Sequence, residues 1–132
     1  MASGLNHLTL TVSNLDRALT FYTQVLGFKP HARWDNGAYL SQDSLWLCLS
    51  KGTSQPAKDY SHIALSVTAE GFELQCNKLR LANAPQWQDN SSEGQSYYFL
   101  DPDGHKLEIH VGDLQSRLQS LRTASYAGLQ WL

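Results

Sequence analysis

Two histidines and one glutamate carry the chemistry that this sequence can be expected to perform. His7 lies in the stretch Gly-Leu-Asn-His-Leu-Thr-Leu, and His62 lies in Tyr-Ser-His-Ile-Ala-Leu. Both stretches alternate apolar with polar residues, as in a strand with one buried face, and the histidine falls at the same place in each. Glu108 lies on the polar face of a third predicted strand, where a carboxylate is costly unless it is paired or binds a cation.

Imidazole nitrogens and a carboxylate form a ligand set for manganese, iron, nickel, cobalt or zinc, and three protein ligands leave positions open for substrate or water. Plainer interpretations are a hydrogen-bonded histidine and an ion pair of Glu108 with Lys106 or Arg117. The matched histidines favour the metal, so we predict that His7, His62 and Glu108 point into one cavity. The three remaining histidines show no such match and are interpreted as surface residues or as residues behind the ligands: His31, His105 and His110.

These residues belong to two similar halves, and the pattern of both predicts an α+β fold. Residues 4–50 are predicted as a first βαβββ motif, residues 51–59 as a flexible linker and residues 60–111 as a second motif, within a single domain of residues 1–132. Ser13 or Asn14 can cap the first helix and Thr68 the second. A C-terminal helix is predicted at residues 113–122, with Leu114, Leu118 and Leu121 facing inward.

Composition excludes several function classes. The net charge of −2 and the absence of a basic cluster argue against nucleic-acid binding. No apolar run approaches the ~20 residues of a membrane span, and the N-terminal stretch is too polar for a signal peptide. Cys48 and Cys76, the only two cysteines, have no zinc-binding spacing. They are expected to be reduced thiols in the cytoplasm.

Longer stretches carry a resemblance to a known family. The segments SEGQSYYFLDPDGHKLEIHVGDL and GAYLSQDSLWLCLS, together with the two histidine strands, resemble the vicinal-oxygen-chelate superfamily. Within it they are similar to the FosA-type fosfomycin-resistance thiol transferases. The resemblance implies manganese-dependent addition of the glutathione thiol to the epoxide of fosfomycin, with K⁺ as activator. It also implies a domain-swapped homodimer in which each metal site takes His7 from one subunit and His62 with Glu108 from the other.

The same resemblance implies roles for other residues. The catalytic set is Thr9, Tyr39 and Arg117. The substrate-binding set, in which hydroxyl and cationic groups surround the phosphonate and aromatic side chains line the channels, is Thr9, Trp46, Tyr60, Ser92, Ser96, Tyr98 and Arg117. The potassium loop is Asn90, Ser92, Glu93, Gly94 and Ser96.

This chain departs from the family beside that loop. The usual pattern is Trp-Lys-x-Asn-Arg/Lys-Ser-Glu-Gly, whereas residues 87–94 read Trp-Gln-Asp-Asn-Ser-Ser-Glu-Gly, so Gln88 and Ser91 replace two cations. Loss of one charge-assisted hydrogen bond weakens anion binding by roughly 1.5–3 kcal/mol, or about ten- to a hundred-fold. Alternative functions are therefore an epoxide hydrolase or an extradiol dioxygenase acting on another small anion, or a metal-free antibiotic-binding protein. A glyoxalase-like isomerase would need a second carboxylate where Cys48 stands.

Overall fold

The two predicted halves fold into two four-stranded sheets of the same design, which confirms the α+β prediction. The computed structural model describes residues 1–124 and 126–132. The elements of the first half are β1 (His7–Val12), α1 (Leu15–Thr20), which continues as a π-helical turn (Phe21–Val25), β2 (Lys29–Trp34), β3 (Gly37–Gln42) and β4 (Leu45–Lys51). Those of the second half are β5 (Ile63–Ser66), α2 (Phe72–Leu81), β6 (Gln86–Gln88), β7 (Ser96–Leu100) and β8 (Lys106–His110), and α3 (Leu114–Leu121) follows.

The strand register repeats between the sheets. The strand orders are β1-β4-β3-β2 and β5-β8-β7-β6, and the first pair of each sheet is parallel whereas the others are antiparallel. Thr9 pairs with Cys48 in the first sheet, and Ala64 pairs with Glu108 in the second. Cys48 and Glu108 therefore occupy equivalent positions, as the alignment of the two halves predicts.

The hydrophobic core lies between the two sheets. Leu8 and Leu10 of β1 line one small cavity together with Ile63, Leu65 and Leu107 of the second sheet. Because successive side chains of a strand point to opposite faces, the faces that carry His7 and Glu108 are both turned away from this core.

A buried hydrogen bond also joins the two halves. The hydroxyl of Tyr22 donates to Asp101 Oδ2 at 2.7 Å, and both residues are buried. Asp101 Oδ1 accepts the backbone N–H groups of Asp103 and His105, so the carboxylate also fixes the turn between β7 and β8.

The helix ends differ in part from the predictions. Asn14 caps α1 by accepting the N–H of Arg17, as expected. Thr68 was expected to cap the second helix but accepts the N–H of Gly71 in a turn, and α2 begins only at Phe72. The prediction that Leu114 faces inward is wrong, because it is 68% exposed, whereas Leu118 and Leu121 are half-buried.

The linker of residues 51–59 is hydrogen-bonded to both sheets. Gly52 donates its N–H to the carbonyl of Val12, and Lys106 Nζ donates to the carbonyl of Ala57 at 2.6 Å. These bonds hold the segment that was expected to be flexible. In the part of the chain that the structure describes, none of the helices has the length and apolar character needed to traverse a bilayer.

Candidate metal centre

His62 and Glu108 form the centre of the candidate site. His62 immediately precedes β5, and Glu108 lies in the middle of β8, where it is only 6% exposed. His62 Nε2 lies 3.1 Å from Glu108 Oε1. The structure thus brings together two of the three predicted metal ligands.

The hydrogen bond of His62 Nδ1 determines what can lie between His62 Nε2 and Glu108 Oε1. Nδ1 lies 2.8 Å from the carbonyl oxygen of Tyr60. A carbonyl only accepts, so Nδ1 carries the proton and Nε2 of the neutral ring presents a lone pair to the carboxylate. Two facing lone pairs repel unless a cation or a proton lies with them. A histidine that binds a metal through one ring nitrogen usually donates the N–H of its other ring nitrogen to a carbonyl or carboxylate. The pair of His62 and Glu108 therefore fits a divalent cation.

Glu108 is held from its other side as well. Ser96 Oγ donates to Glu108 Oε2 at 2.5 Å, and Ser96 Oγ also lies 2.6 Å from His110 Nδ1. Ser96 was expected to bind substrate or potassium, and here its hydroxyl contacts the carboxylate. His110 lies behind Glu108, which agrees with one of its two predicted roles.

Aromatic rings surround His62. Tyr60, Trp87 and Tyr98 lie with ring centroids 4.8, 5.4 and 6.1 Å from the His62 ring. The hydroxyl of Tyr60 accepts a hydrogen bond from the Gln88 amide at 3.0 Å. Trp87 was not among the predicted site residues, although its position beside Gln88 in the altered motif was a signal for it.

A second group of predicted residues lies on the first sheet. His7 packs against Trp46 with centroids 4.5 Å apart, and Tyr39 contacts both Trp46 and Trp34 edge to face. All four side chains are exposed on the face turned away from the core. Thr9 is exposed on the same strand and shares this face.

His7 does not join His62 and Glu108 within one chain. Among residues 1–124 and 126–132, no three His, Cys, Asp or Glu side chains lie close enough to hold one metal ion. One chain therefore does not bring the three predicted ligands together, because the core separates the two outward faces, and the shared site that the resemblance implies stays a prediction.

The potassium loop and Arg117 form a third group. The side-chain amide of Asn90 closes the loop by two sets of hydrogen bonds. It donates to the carbonyl of Gly94 and accepts from the backbone N–H and the hydroxyl of Ser92. Arg117 on α3 donates from Nε to Glu93 Oε2 at 3.1 Å and from Nη2 to the Glu93 carbonyl at 3.2 Å. The hydrogen bond to Glu93 raises the pKa of Arg117 above its usual value. Any anion bound by Arg117 must therefore share this cation with Glu93.

Comparisons with known proteins agree with this architecture. Residues 4–109 match the family model of the Glyoxalase/Bleomycin resistance protein/Dioxygenase superfamily. The chain is 48% identical over 134 residues to the glutathione transferase FosA of Serratia marcescens, covering 98% of this chain and 95% of the relative. It is 36% identical over 122 residues to the metallothiol transferase FosB of Lysinibacillus sphaericus, covering 87% and 86%.

A solved structure shows the same fold with a metal. It is a crystal structure of a variant of FosX, a fosfomycin resistance protein from Listeria monocytogenes, complexed with Mn(II) and 1S,2S-dihydroxypropylphosphonic acid. It matches this chain with a TM-score of 0.81 and 26% identity over 89% of this chain and 99% of that one. The chain therefore belongs to the glyoxalase/bleomycin resistance/dioxygenase superfamily and, within it, to the fosfomycin-resistance proteins.

Proposed function

We propose that this protein is a metal-dependent transferase that adds the thiol of glutathione to the epoxide of fosfomycin and so gives resistance to the antibiotic. The observation that carries the proposal is the part-buried pair of His62 Nε2 and Glu108 Oε1, 3.1 Å apart, in which the Nδ1 proton of His62 is donated to the Tyr60 carbonyl. Relatives named glutathione transferase and metallothiol transferase support it.

The proposed metal ligands are His62 and Glu108 of one chain and His7 of a second copy. Both ligand groups lie on sheet faces turned away from the core of their own chain, so a second copy can bring them face to face. The assembly we propose is a homodimer with two shared sites. Mn²⁺ is the proposed cation, since it accepts mixed nitrogen and oxygen ligands and since the FosX complex contains Mn(II).

The reaction forms one carbon–sulfur bond and breaks one carbon–oxygen bond. The proton lost by the thiol ends on the epoxide oxygen. A bound divalent cation supplies Lewis acidity, which stabilises the negative charge that develops on that oxygen. We propose that Arg117, Ser92 and Thr9 orient the phosphonate, and that Tyr39 donates a hydrogen bond at the reacting oxygen. The exposed rings of Trp46 and Tyr60 exclude water from the two sides of the site.

A direct test uses purified protein from which metal has been removed. Restoring Mn²⁺ should produce the glutathione–fosfomycin adduct, detected by mass spectrometry, and the His62→Ala variant should produce none. No adduct at any metal loading would remove the proposed function. Full activity of His62→Ala would show that the metal pair is assigned to the wrong residues.

The same measurement separates the alternatives. An epoxide hydrolase would yield the diol, the water adduct that the FosX complex contains. It would need a carboxylate base. Asp43 is an acidic residue near this site in the sequence, but it lies in the turn between β3 and β4 with a positive φ of 50°. A metal-free binding protein would retain fosfomycin unchanged, and a dioxygenase would require oxygen.

We also propose K⁺ as an activator bound at residues 90–96. Oxygen ligands suit this cation, but one oxygen of Glu93 is paired with Arg117 and the Gly94 carbonyl accepts from Asn90. Each of these oxygens keeps a second lone pair. The turnover rate should therefore rise when KCl replaces tetramethylammonium chloride at equal ionic strength, and Glu93→Gln should reduce this rise. Equal rates in the two salts would contradict a potassium site.

The proposed location is the cytoplasm. Cys48 and Cys76 are both free and buried, as expected for a protein of a reducing compartment. Glutathione in its thiol form is the co-substrate that such a compartment supplies.

A further inference from the structure

Two side chains, Ser96 and His110, lie next to the oxygen of Glu108 that does not face His62. Ser96 and His110 are directly paired across β7 and β8, and Glu108 is the partner of the neighbouring Tyr98. Ser96 Oγ lies 2.5 Å from Glu108 Oε2 and 2.6 Å from His110 Nδ1. One hydroxyl therefore contacts a carboxylate and an imidazole at the same time.

Counting protons fixes the direction of these two hydrogen bonds. A serine hydroxyl carries one proton, and an ionised carboxylate can only accept. Ser96 must therefore donate to Glu108, so the proton between Ser96 and His110 belongs to His110 Nδ1. In the opposite arrangement, the lone pairs of Ser96 would face a buried carboxylate, which is costly.

Two glycines hold the His110 ring in the position that this direction requires. Gly94 has a φ of +82° and Gly112 a φ of +137°. A Cβ on Gly94 would lie 2.9 Å from His110 Cε1, and a Cβ on Gly112 would lie 2.9 Å from His110 Nε2. Both glycines approach the end of the ring around Nε2 closely, which leaves little room for the ring to turn.

From these contacts we infer that His110 and Ser96 are positioning residues, which fix one oxygen of Glu108 so that the other, Oε1, is presented to the cation. His110 donates to Ser96, and Ser96 donates to Glu108 Oε2, while Oε1 faces His62. His110 Nδ1 also lies 3.6 Å from Glu108 Oε2, which is beyond hydrogen-bond distance, so His110 acts through Ser96. The inference rests on the proposed metal site and adds to it the residues that orient the carboxylate.

The test measures binding of Mn²⁺ alone, by titrating metal-free protein and following the electron paramagnetic resonance signal of the free ion. Ser96→Ala and His110→Leu should each weaken Mn²⁺ binding by about ten- to a hundred-fold, the usual effect of removing a partner of a metal ligand. The double variant should bind no more weakly than Ser96→Ala, because His110 acts only through that hydroxyl.

Two conservative variants separate a hydrogen-bond role from a space-filling role. The amide N–H of His110→Asn reaches the place of Nδ1 and should retain most of the affinity. The amide of His110→Gln reaches the place of Nε2 and should not. Equal affinities of the Asn, Gln and Leu variants would overturn the inference, and so would an unchanged affinity of Ser96→Ala.

The chain contains a matched control pair. His31 Nε2 and Ser41 Oγ also lie 2.6 Å apart, on the first sheet, and Ser41→Ala should leave Mn²⁺ affinity unchanged. All variants are compared at protein concentrations that give the wild-type oligomeric state, with thermal unfolding as the check of folding. If Glu108→Gln also binds Mn²⁺ normally, the proposed metal site is wrong. If Glu108→Gln fails to bind while Ser96→Ala binds normally, only the inference about Ser96 and His110 is wrong.

Discussion

Gln88 lies beside the metal pair at a position where the resemblance to the family implies a lysine. Its amide donates to the hydroxyl of Tyr60, whose ring packs on His62. A lysine there would place a cation beside the site, and one charge-assisted hydrogen bond is worth roughly 1.5–3 kcal/mol. We expect Gln88→Lys to lower the KM for fosfomycin by about ten- to a hundred-fold, as measured by adduct formation at varied fosfomycin.

A control for this variant adds the same charge elsewhere. Gln119 is exposed on α3, and Gln119→Lys should leave the KM near the wild-type value because distant exposed charges are screened. An unchanged KM in Gln88→Lys would mean that the phosphonate lies away from residue 88.

Tyr22 is a buried residue whose loss should affect stability and not chemistry. Burial and the neighbouring carboxylate of Asp101 raise the pKa of Tyr22 far above its usual value. Tyr22→Phe leaves an oxygen of Asp101 short of a donor, so the free energy of unfolding should fall by about 1–3 kcal/mol. Urea unfolding measures this loss. Tyr97→Phe, which keeps the ring contact with Phe99, is the control and should lose less.

The same residue predicts the direction of one pH dependence. In the unfolded chain Tyr22 loses its proton near pH 10, whereas in the folded chain it keeps it. The folded state then binds more protons, so the stability of the wild type should fall as the pH rises above about 10. In Tyr22→Phe this part of the fall should be absent, and parallel curves for the two proteins would contradict the assignment.

At the scale of the elements, the loop between β6 and β7 depends on the conformation of one glycine. Gly94 has a φ of +82°, and a Cβ there would lie 2.6 Å from the carbonyl oxygen of Val111. Gly27 has almost the same φ, +81°, but a Cβ there would meet nothing within 4 Å. Both Ala variants pay the same backbone cost of about 1–2 kcal/mol. Gly94→Ala should in addition weaken Mn²⁺ binding, because the loop must move against His110.

Thermal unfolding and Mn²⁺ titration of these two variants test the loop directly. Gly27→Ala should lose stability alone. Equal Mn²⁺ affinity in both variants would show that the loop moves without disturbing Glu108.

The elements themselves were largely predictable from the sequence, and the contacts between them were not. Alternation in the stretches of His7 and His62 gave the strands and their polar faces, because a half-buried strand repeats every two residues. The start of α2 at Phe72 was missed because Thr68 caps a turn as readily as a helix. The Ser96–Glu108 bond was missed because it joins residues twelve positions apart through a strand register that no local pattern records.

At the scale of the whole molecule, the proposed sharing of ligands can be tested by mixing two inactive variants. His7→Ala and Glu108→Gln should each be inactive alone. A mixed dimer contains one intact site, since His7 of one chain meets the intact His62 and Glu108 of the other. With random pairing, about half of the dimers are mixed, and each mixed dimer has one intact site out of two. Activity should therefore return to about a quarter of the wild-type value.

A second mixture serves as the control. His62→Ala and Glu108→Gln remove two ligands that come from the same chain, so every site in their mixed dimer lacks one of them, and no activity should return. Equal recovery in the two mixtures, or none in the first, would contradict a site built from two chains.

The outward orientation of His7 and of the His62–Glu108 pair also has a consequence for a cell that makes the protein. If two chains must meet to complete a site, then below the dissociation constant of the pair the number of complete sites grows with the square of the number of chains. A cell with few copies would hold folded protein but almost no working centres. Resistance should accordingly rise more steeply than gene dosage at low expression and in proportion to it once most chains are paired.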